Sequence, residues 1–435
     1  MFGSCTLLHR FVRRSILPLF VVAPMCAVFA NGQSLQEPRD EKPSAKTKKD
    51  KSHPSLTLGP VKLEFKGRVE TELRAPTGAA GLDGQIDWQD RRLGFEGTAF
   101  KRITFEVERE LSDDFEAAHD LSEKTPWKDA YASVRVTKAL NIQGGRFKLP
   151  FGREELTSEP SLDFAYRSLA ARVLSPGRDF GVMAHGRLFG RVVNYQTGYF
   201  TRDGDNGRTS QTRGGENSVA GRLVLTPFAS AADTVLAPLE IGMAVAESRV
   251  DDRLGLRGRT VLGDGIIFDR VYVNGERRRA GVDAAWASGP VGLTTEYVTV
   301  SDERKGMGFS GDDLPNIVAT AWYGAGTWLV TGERKRGRVE PAHAFLRGGI
   351  GAVELKARIE SLRFNTALYS GAFAPAKLFA NADRAATVGV NWYANHYVKL
   401  QCDVIFESID DPTRSPAPAS DGRFTSTLLR LQFRF

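Results

Sequence analysis

From Val61 to Arg74 charged and uncharged positions alternate without a break. Lys62, Glu64, Lys66, Arg68, Glu70, Glu72 and Arg74 are charged, and Val61, Leu63, Phe65, Gly67, Val69, Thr71 and Leu73 stand between them. Successive side chains of a β-strand point to opposite faces, so this stretch predicts a strand with one charged and one largely apolar face. The same period predicts strands at 102–110 (RITFEVERE), 193–200 (VNYQTGYF), 291–299 (VGLTTEYVT) and 353–361 (VELKARIES). Clusters of Gly, Asp, Asn and Ser between them, such as 201–218, predict loops. The last run, FTSTLLRLQFRF, sets Thr427, Leu429, Leu431, Phe433 and Phe435 opposite Arg430, Gln432 and Arg434.

Lipid on one side of the sheet and water on the other accounts for such strands. A bilayer satisfies no backbone hydrogen bonds, so a sheet within it must close on itself, while charged side chains remain hydrated inside. The expected fold is therefore all-β, a transmembrane antiparallel β-barrel of the outer-membrane porin type. Roughly 380 residues, at about 10 per membrane strand plus loops, accommodate about 16 strands, with 18 also possible. A barrel of that size leaves an aqueous channel.

The beginning of the chain carries a different signal. Arg10, Arg13 and Arg14 precede the apolar run SILPLFVVAPMCAVFA, which reads as a secretory signal peptide over 1–30. Residues 31–55 contain three prolines and almost nothing apolar, and read as a disordered, charged periplasmic linker, leaving 56–435 for the barrel. With Cys5 and Cys26 in the signal, only Cys402 is left, so no internal disulfide is expected. The whole chain carries +7; the signal has three Arg and no acid, giving 7 − 3 = +4 for the remainder. Any preference for anions must then come from local placement of charge.

Several blocks resemble the phosphate-selective porin O and P family. They are WKDAYASVRV (127–136), IQGGRFKLPFGREEL (142–156), RDFGVMAHG (178–186), GPVGLTTEY (289–297), AWYGAGTWLVTGE (321–333) and VGVNWYANHYVKL (388–400). A C-terminal Phe on an alternating strand resembles the signal read by the outer-membrane barrel-assembly machinery. The resemblance implies a sixteen-stranded, trimeric channel in the outer membrane of a Gram-negative-type bacterium, with a basic constriction for phosphate or polyphosphate. Its expected partners are outer-membrane lipid and lipopolysaccharide, the assembly machinery, small anionic solutes and two further copies of itself, with no nucleic acid.

The segment after the strand that ends near Pro150 lacks alternation over 153–177 and is long enough to fold inward as a constriction loop. An anion filter needs Arg or Lys around a narrow passage. Arg146, Lys148, Arg153, Arg167, Arg172 and Arg178 are the candidates, because 164–178 holds three Arg and no acid. Lys62, Lys66, Arg68, Lys356 and Arg358 alternate with Glu and are set aside as weak tuners of conductance. Trp322, Tyr323, Trp328, Trp392, Tyr393 and Phe435 suit a lipid–water girdle. The six His show no metal spacing and no nucleophile motif is present, so neither a cofactor nor an enzyme activity is expected. The expected function is passive, anion-preferring diffusion of phosphate, polyphosphate or similar solutes. Two alternatives stand beside it: a non-selective or sugar porin on the same scaffold, and a mainly structural barrel tethered to the cell wall by 31–55.

Overall fold

The computed structural model describes residues 54–76, 86–111, 126–205, 217–231, 234–335, 337–366, 381–417 and 421–435. The expected signal peptide and nearly all of the expected linker lie outside these residues. Sixteen long strands form the wall. They are β1 (Val61–Pro76), β2 (Ile86–Ala99), β3 (Ile103–Glu110), β4 (Trp127–Arg135), β5 (Asn141–Lys148) and β6 (Arg178–Leu188). Next come β7 (Val193–Phe200), β8 (Ser218–Leu225), β9 (Glu240–Leu254), β10 (Tyr272–Ser288) and β11 (Val291–Arg304). The last five are β12 (Leu314–Leu329), β13 (Ala352–Thr366), β14 (Asn381–Tyr393), β15 (Val398–Ile409) and β16 (Arg423–Arg434).

Each strand pairs antiparallel with the next, and β16 returns to β1 with Phe433 opposite Val69 and Ser426 opposite Pro76. The sheet therefore closes and leaves no open edge. The C-terminus is fixed by a reciprocal backbone pair, Gly67 N–H to Phe435 O and Phe435 N–H to Gly67 O. The Phe435 ring lies over Gly67 so closely that a Cβ there would come within 2.3 Å of it. A short strand, Ser55–Leu58, pairs with the first residues of β1, so the last residue of the expected linker belongs to a strand.

Period two decides the faces. On β1, Arg68, Glu70 and Glu72 are buried inside the barrel while Phe65 and Val69 are exposed outside. The packed core lies in the lumen. The β5–β6 segment, 149–177, folds inward as its missing alternation predicts and places Leu149, Phe151, Leu169 and Leu174 in an apolar cluster. Gly152 starts the first of its three short helical turns, Arg153–Leu156, at φ +73°, a backbone region open to glycine at little cost.

The inner wall holds this segment through its backbone. Arg153 and Glu154 N–H groups donate to Glu296 on β11, at 3.1 and 3.2 Å. Ala165 N–H donates to Asp403 on β15 at 2.8 Å, and Leu169 N–H to Glu360 on β13 at 2.7 Å. Lys356, Asn391 and Gln401 all donate to the carbonyl of Asp163, at 3.0, 2.8 and 3.1 Å. Arg279 on β10 donates to Leu174 O at 3.0 Å. A loop buried this deeply must have its polar backbone satisfied, and charged lumen side chains supply the partners.

Two further segments turn inward that the sequence reading did not anticipate. Residues 255–271, between β9 and β10, bury Val261, Leu262, Ile267 and Phe268 and stack Phe268 on Phe364 at 4.5 Å. Of residues 330–351, between β12 and β13, only the part with Lys335 and Arg338 turns inward, Lys335 to both Asp163 and Glu354 and Arg338 to the carbonyl of His396, while Phe345, Leu346 and Ile350 stay exposed at the end of the barrel.

Candidate functional site: a basic passage along one wall

The inserted loop occupies the side of the lumen formed by β10, β11 and β13–β15, and open space remains along β16, β1 and β2. Two of the cavities there, of about 370 and about 240 Å³, are both lined by Glu159 and Arg167, and a further one of about 250 Å³ adjoins the first at Glu96 and Glu106, with Lys62 and Glu64. The strands set their order. β1 contributes Lys66 and Arg68 to the first and Glu72 and Arg74 to the second, and β16 contributes Arg434 to the first and Arg430 to the second. The cavities therefore follow one another along the strands, with Glu159 and Arg167 at their junction.

Charge on the lining is mixed but biased. The first cavity has eight Lys or Arg side chains against five Asp or Glu; the second has four Arg against three acids. Several arginines are held by carboxylates. Arg92 contacts Asp90 at 2.7 Å, Glu110 at 2.8 Å, Glu159 at 3.1 Å and Glu108 at 3.2 Å. Arg178 grips Asp129 with two nitrogens, the closer at 2.8 Å, and Arg430 bonds Glu72 and Glu70. Burial pushes the Glu159 carboxyl up, but the Arg92 and Arg68 guanidiniums outweigh this and hold it well below the usual carboxylate range.

Other cations are held by carbonyls. Arg167 donates to the carbonyls of Glu154 and Thr157, with Glu155 only at 3.9 Å. Arg172 donates to Val261 O and Leu262 O, Arg338 to His396 O, and Arg434 to Pro160 O at 3.0 Å. Burial, with Arg74 and Arg259 nearby, pulls the Arg172 guanidinium down to about 10, which leaves it cationic at neutral pH. A carbonyl orients a guanidinium without cancelling its charge, so these residues keep a net positive field toward the passage.

A lumen narrowed by an inward loop, with a basic passage between the loop and a closed sixteen-stranded wall, is a porin architecture. The profile of the family described as phosphate-selective porin O and P matches residues 66–435. The chain belongs to that family. It is an outer-membrane porin of the Gram-negative envelope, a channel by fold and family. Porin O of Pseudomonas aeruginosa is 24% identical over 378 residues, which span 78% of this chain and 80% of that protein. Among solved structures, OmpT of Vibrio cholerae matches with a TM-score of 0.56 at 12% identity, over 88% of this chain and 99% of that one. The anion-selective porin from Comamonas acidovorans matches with a TM-score of 0.53 at 15% identity, over 86% of this chain and all of that one.

The six constriction candidates of this porin separate. Lys148, Arg167 and Arg178 line the first cavity, and Arg167 and Arg172 line the second. Arg146 lines neither: it is buried, donates to Trp127 O at 2.9 Å and pairs with Asp205 at 2.7 Å. Arg153 is turned aside to Glu240 at 2.7 Å. Lys66 and Arg68, set aside above as weak tuners, Arg430 and Arg434, given there only as the polar face of the last strand, and Arg92 and Arg338, not among the candidates, all line the passage. On β1 the signal was present in the charged face, but the interleaved Glu residues made it look neutral; on β16 Arg430 and Arg434 share their face with Gln432 and no acid, and the signal there was unmasked.

The girdle assignment needs two corrections. Trp322 and Trp328 are exposed on the outer face, at 43% and 52%, but Tyr323 and Tyr393 are buried at 3% and 4%. Tyr323 follows Trp322 and Tyr393 follows Trp392, and the pleat sends neighbours to opposite faces. The Tyr393 hydroxyl donates to Glu354 inside the barrel at 2.7 Å.

Proposed function

We propose that this porin is a passive, anion-preferring diffusion channel for phosphate, polyphosphate and similar small anions, and that it works as a homotrimer. One observation carries the reading: Arg167 faces both cavities and is held by carbonyls, with Arg172, Arg338 and Arg434 held the same way along the passage. A cation there lowers the barrier to an anion and raises it for a cation. The guanidinium fork suits tetrahedral oxyanions because it donates two parallel hydrogen bonds. The carboxylates on neighbouring arginines keep the passage from trapping the ion, which a conducting pore requires. A trimer form of the OmpT neighbour has been solved, and it matches this chain with a TM-score of 0.54; a subunit with a complete channel of its own suits that assembly.

Single-channel recording in planar bilayers tests the proposal. A reversal potential in a KCl gradient is expected to show chloride preference, and phosphate is expected to reduce chloride current in a saturable way. Cation preference would overturn anion selectivity. Chloride preference without phosphate block would leave a general anion pore and remove the phosphate reading.

A further inference from the structure

The end of the barrel that carries the short turns and the chain's C-terminal Phe435 has a recurrent feature that transport does not use. Three of its turns contain the same tripeptide pattern: Phe100-Lys101-Arg102, Phe189-Gly190-Arg191 and Phe345-Leu346-Arg347. The Phe rings are exposed, at 65%, 79% and 51%. The cations beside them are exposed too. The pattern also occurs in the inward segments, as Phe151-Gly152-Arg153 and Phe268-Asp269-Arg270, and there both rings are buried. Sequence alone therefore does not expose these rings; their place at the turns does.

Two of the turns hold bulky residues in a backbone region that favours glycine. Phe100 and Lys101 have φ of +52° and +59°, and Phe189 and Arg191 have +50° and +79°. A side chain there costs free energy, and so does an aromatic ring in water. The third turn is fixed against the outer wall. The outward Trp392 donates its indole N–H to Ile350 O at 2.8 Å, and its ring meets Phe345 edge-on at 5.2 Å. A matching tie runs from Trp286 to Val235 O at 2.7 Å, in the turn that exposes Val235 and Leu236. These turns thus continue the apolar outer band at the level of its tryptophans.

We infer that the Phe-x-Arg turns at this end are membrane feet: each inserts its Phe at the headgroup–acyl boundary and sets its cation against a phospholipid phosphate. Short turns lie on the periplasmic side of outer-membrane barrels, so the lipid is that of the inner leaflet, phospholipid such as phosphatidylglycerol or phosphatidylethanolamine. An apolar ring beside a cation matches that boundary, where rings bury shallowly and Lys or Arg meets anionic headgroups. Continuity with the lipid-facing band favours lipid over a periplasmic protein as occupant.

The test uses the exported protein with Cys402→Ser and one further cysteine in turn, Phe100→Cys, Phe189→Cys or Phe345→Cys, each carrying an environment-sensitive NBD label. In vesicles of phosphatidylethanolamine and phosphatidylglycerol, the label is expected to shift its emission to the blue. Headgroup-level doxyl lipid should quench it, and iodide should reach it at least fivefold less well than free NBD-cysteine. Iodide access equal to the free dye would overturn the proposal. So would protection seen in native envelope fragments but not in vesicles, because a protein would then be the cover. In parallel, spin-labelled phosphatidylglycerol should associate more strongly than spin-labelled phosphatidylcholine. Arg102→Gln, Arg191→Gln and Arg347→Gln together should bring that ratio to one while chloride selectivity is unchanged. Equal association with the unaltered protein would overturn the headgroup part.

Discussion

Glu159 Oε2 lies 2.6 Å from Arg68 Nη2 and 3.1 Å from Arg92 Nη2, so a residue of the inward loop caps two arginines of the barrel wall. The contact joins positions 91 residues apart in the chain and sits where the two cavities meet. Glu159 therefore both fastens the loop and neutralises wall charge.

Replacing Glu159 by Gln is expected to raise the chloride-to-potassium permeability ratio, because Arg68 and Arg92 each lose a carboxylate contact. A unit charge at 4 Å is worth about 1 kcal/mol even in water-like surroundings, roughly fivefold in a partition ratio. Bilayer reversal potentials measure this. An unchanged or lower ratio in a folded barrel would refute the capping role.

The same carboxyl predicts a flat pH response followed by a fall. Its folded-state pKa is depressed, so its contribution to loop docking is complete above the ordinary Glu value of about 4.3 and is lost as pH drops through the lower folded value. Glu159's own share of selectivity and of loop protection from protease should hold between about pH 8 and about pH 5 and change only in stronger acid. For Glu159→Gln the acid step should be diminished; an equal step in both proteins would assign it to other groups.

Removing charge from carbonyl-held arginines should matter more than removing it from one held by a carboxylate. Arg167→Ala, Arg172→Ala and Arg434→Ala together are expected to bring the permeability ratio close to that of a neutral pore, with phosphate block lost. Arg178→Ala leaves Asp129 unpaired, adding negative charge to the first cavity; its effect should resemble that of one added carboxylate, with phosphate block retained. Permeability ratios of the two variants, compared at matched conductance, decide between them.

The inward segment 255–271 should act as a second restriction. Phe268→Ala removes a buried ring stacked on Phe364, a change that costs about 3–5 kcal/mol in a packed core. Lower resistance to urea is expected together with higher single-channel conductance, since Leu262 of this segment lines the second cavity. Reduced stability with no change in conductance would make the segment structural only.

The strands were legible because each records the pleat locally. Val61–Arg74, Ile103–Glu110, Val193–Phe200 and the final alternating run all became wall strands, with the alternating charged side chains of the first, second and last on the inner face. Closure follows from the same pattern, since lipid tolerates no open edge. The inward course of 153–177 was readable as a break in alternation, and the structure starts the inward segment slightly earlier, at Leu149. Which arginines face the passage was not readable. Lys66 and Arg68 looked neutralised by neighbouring Glu residues, whereas strand-distant contacts to Glu106, Asp90 and Glu159 decide their environment. Arg146 and Arg153, candidates for the constriction from their place in the sequence, are taken by Asp205 and Glu240. Periodicity is a property of each strand by itself and so is written in order along the chain. Compensation of charge depends on which carboxylate or carbonyl the fold brings within about 3 Å, and only the docking of the loop against one side of the lumen sets that.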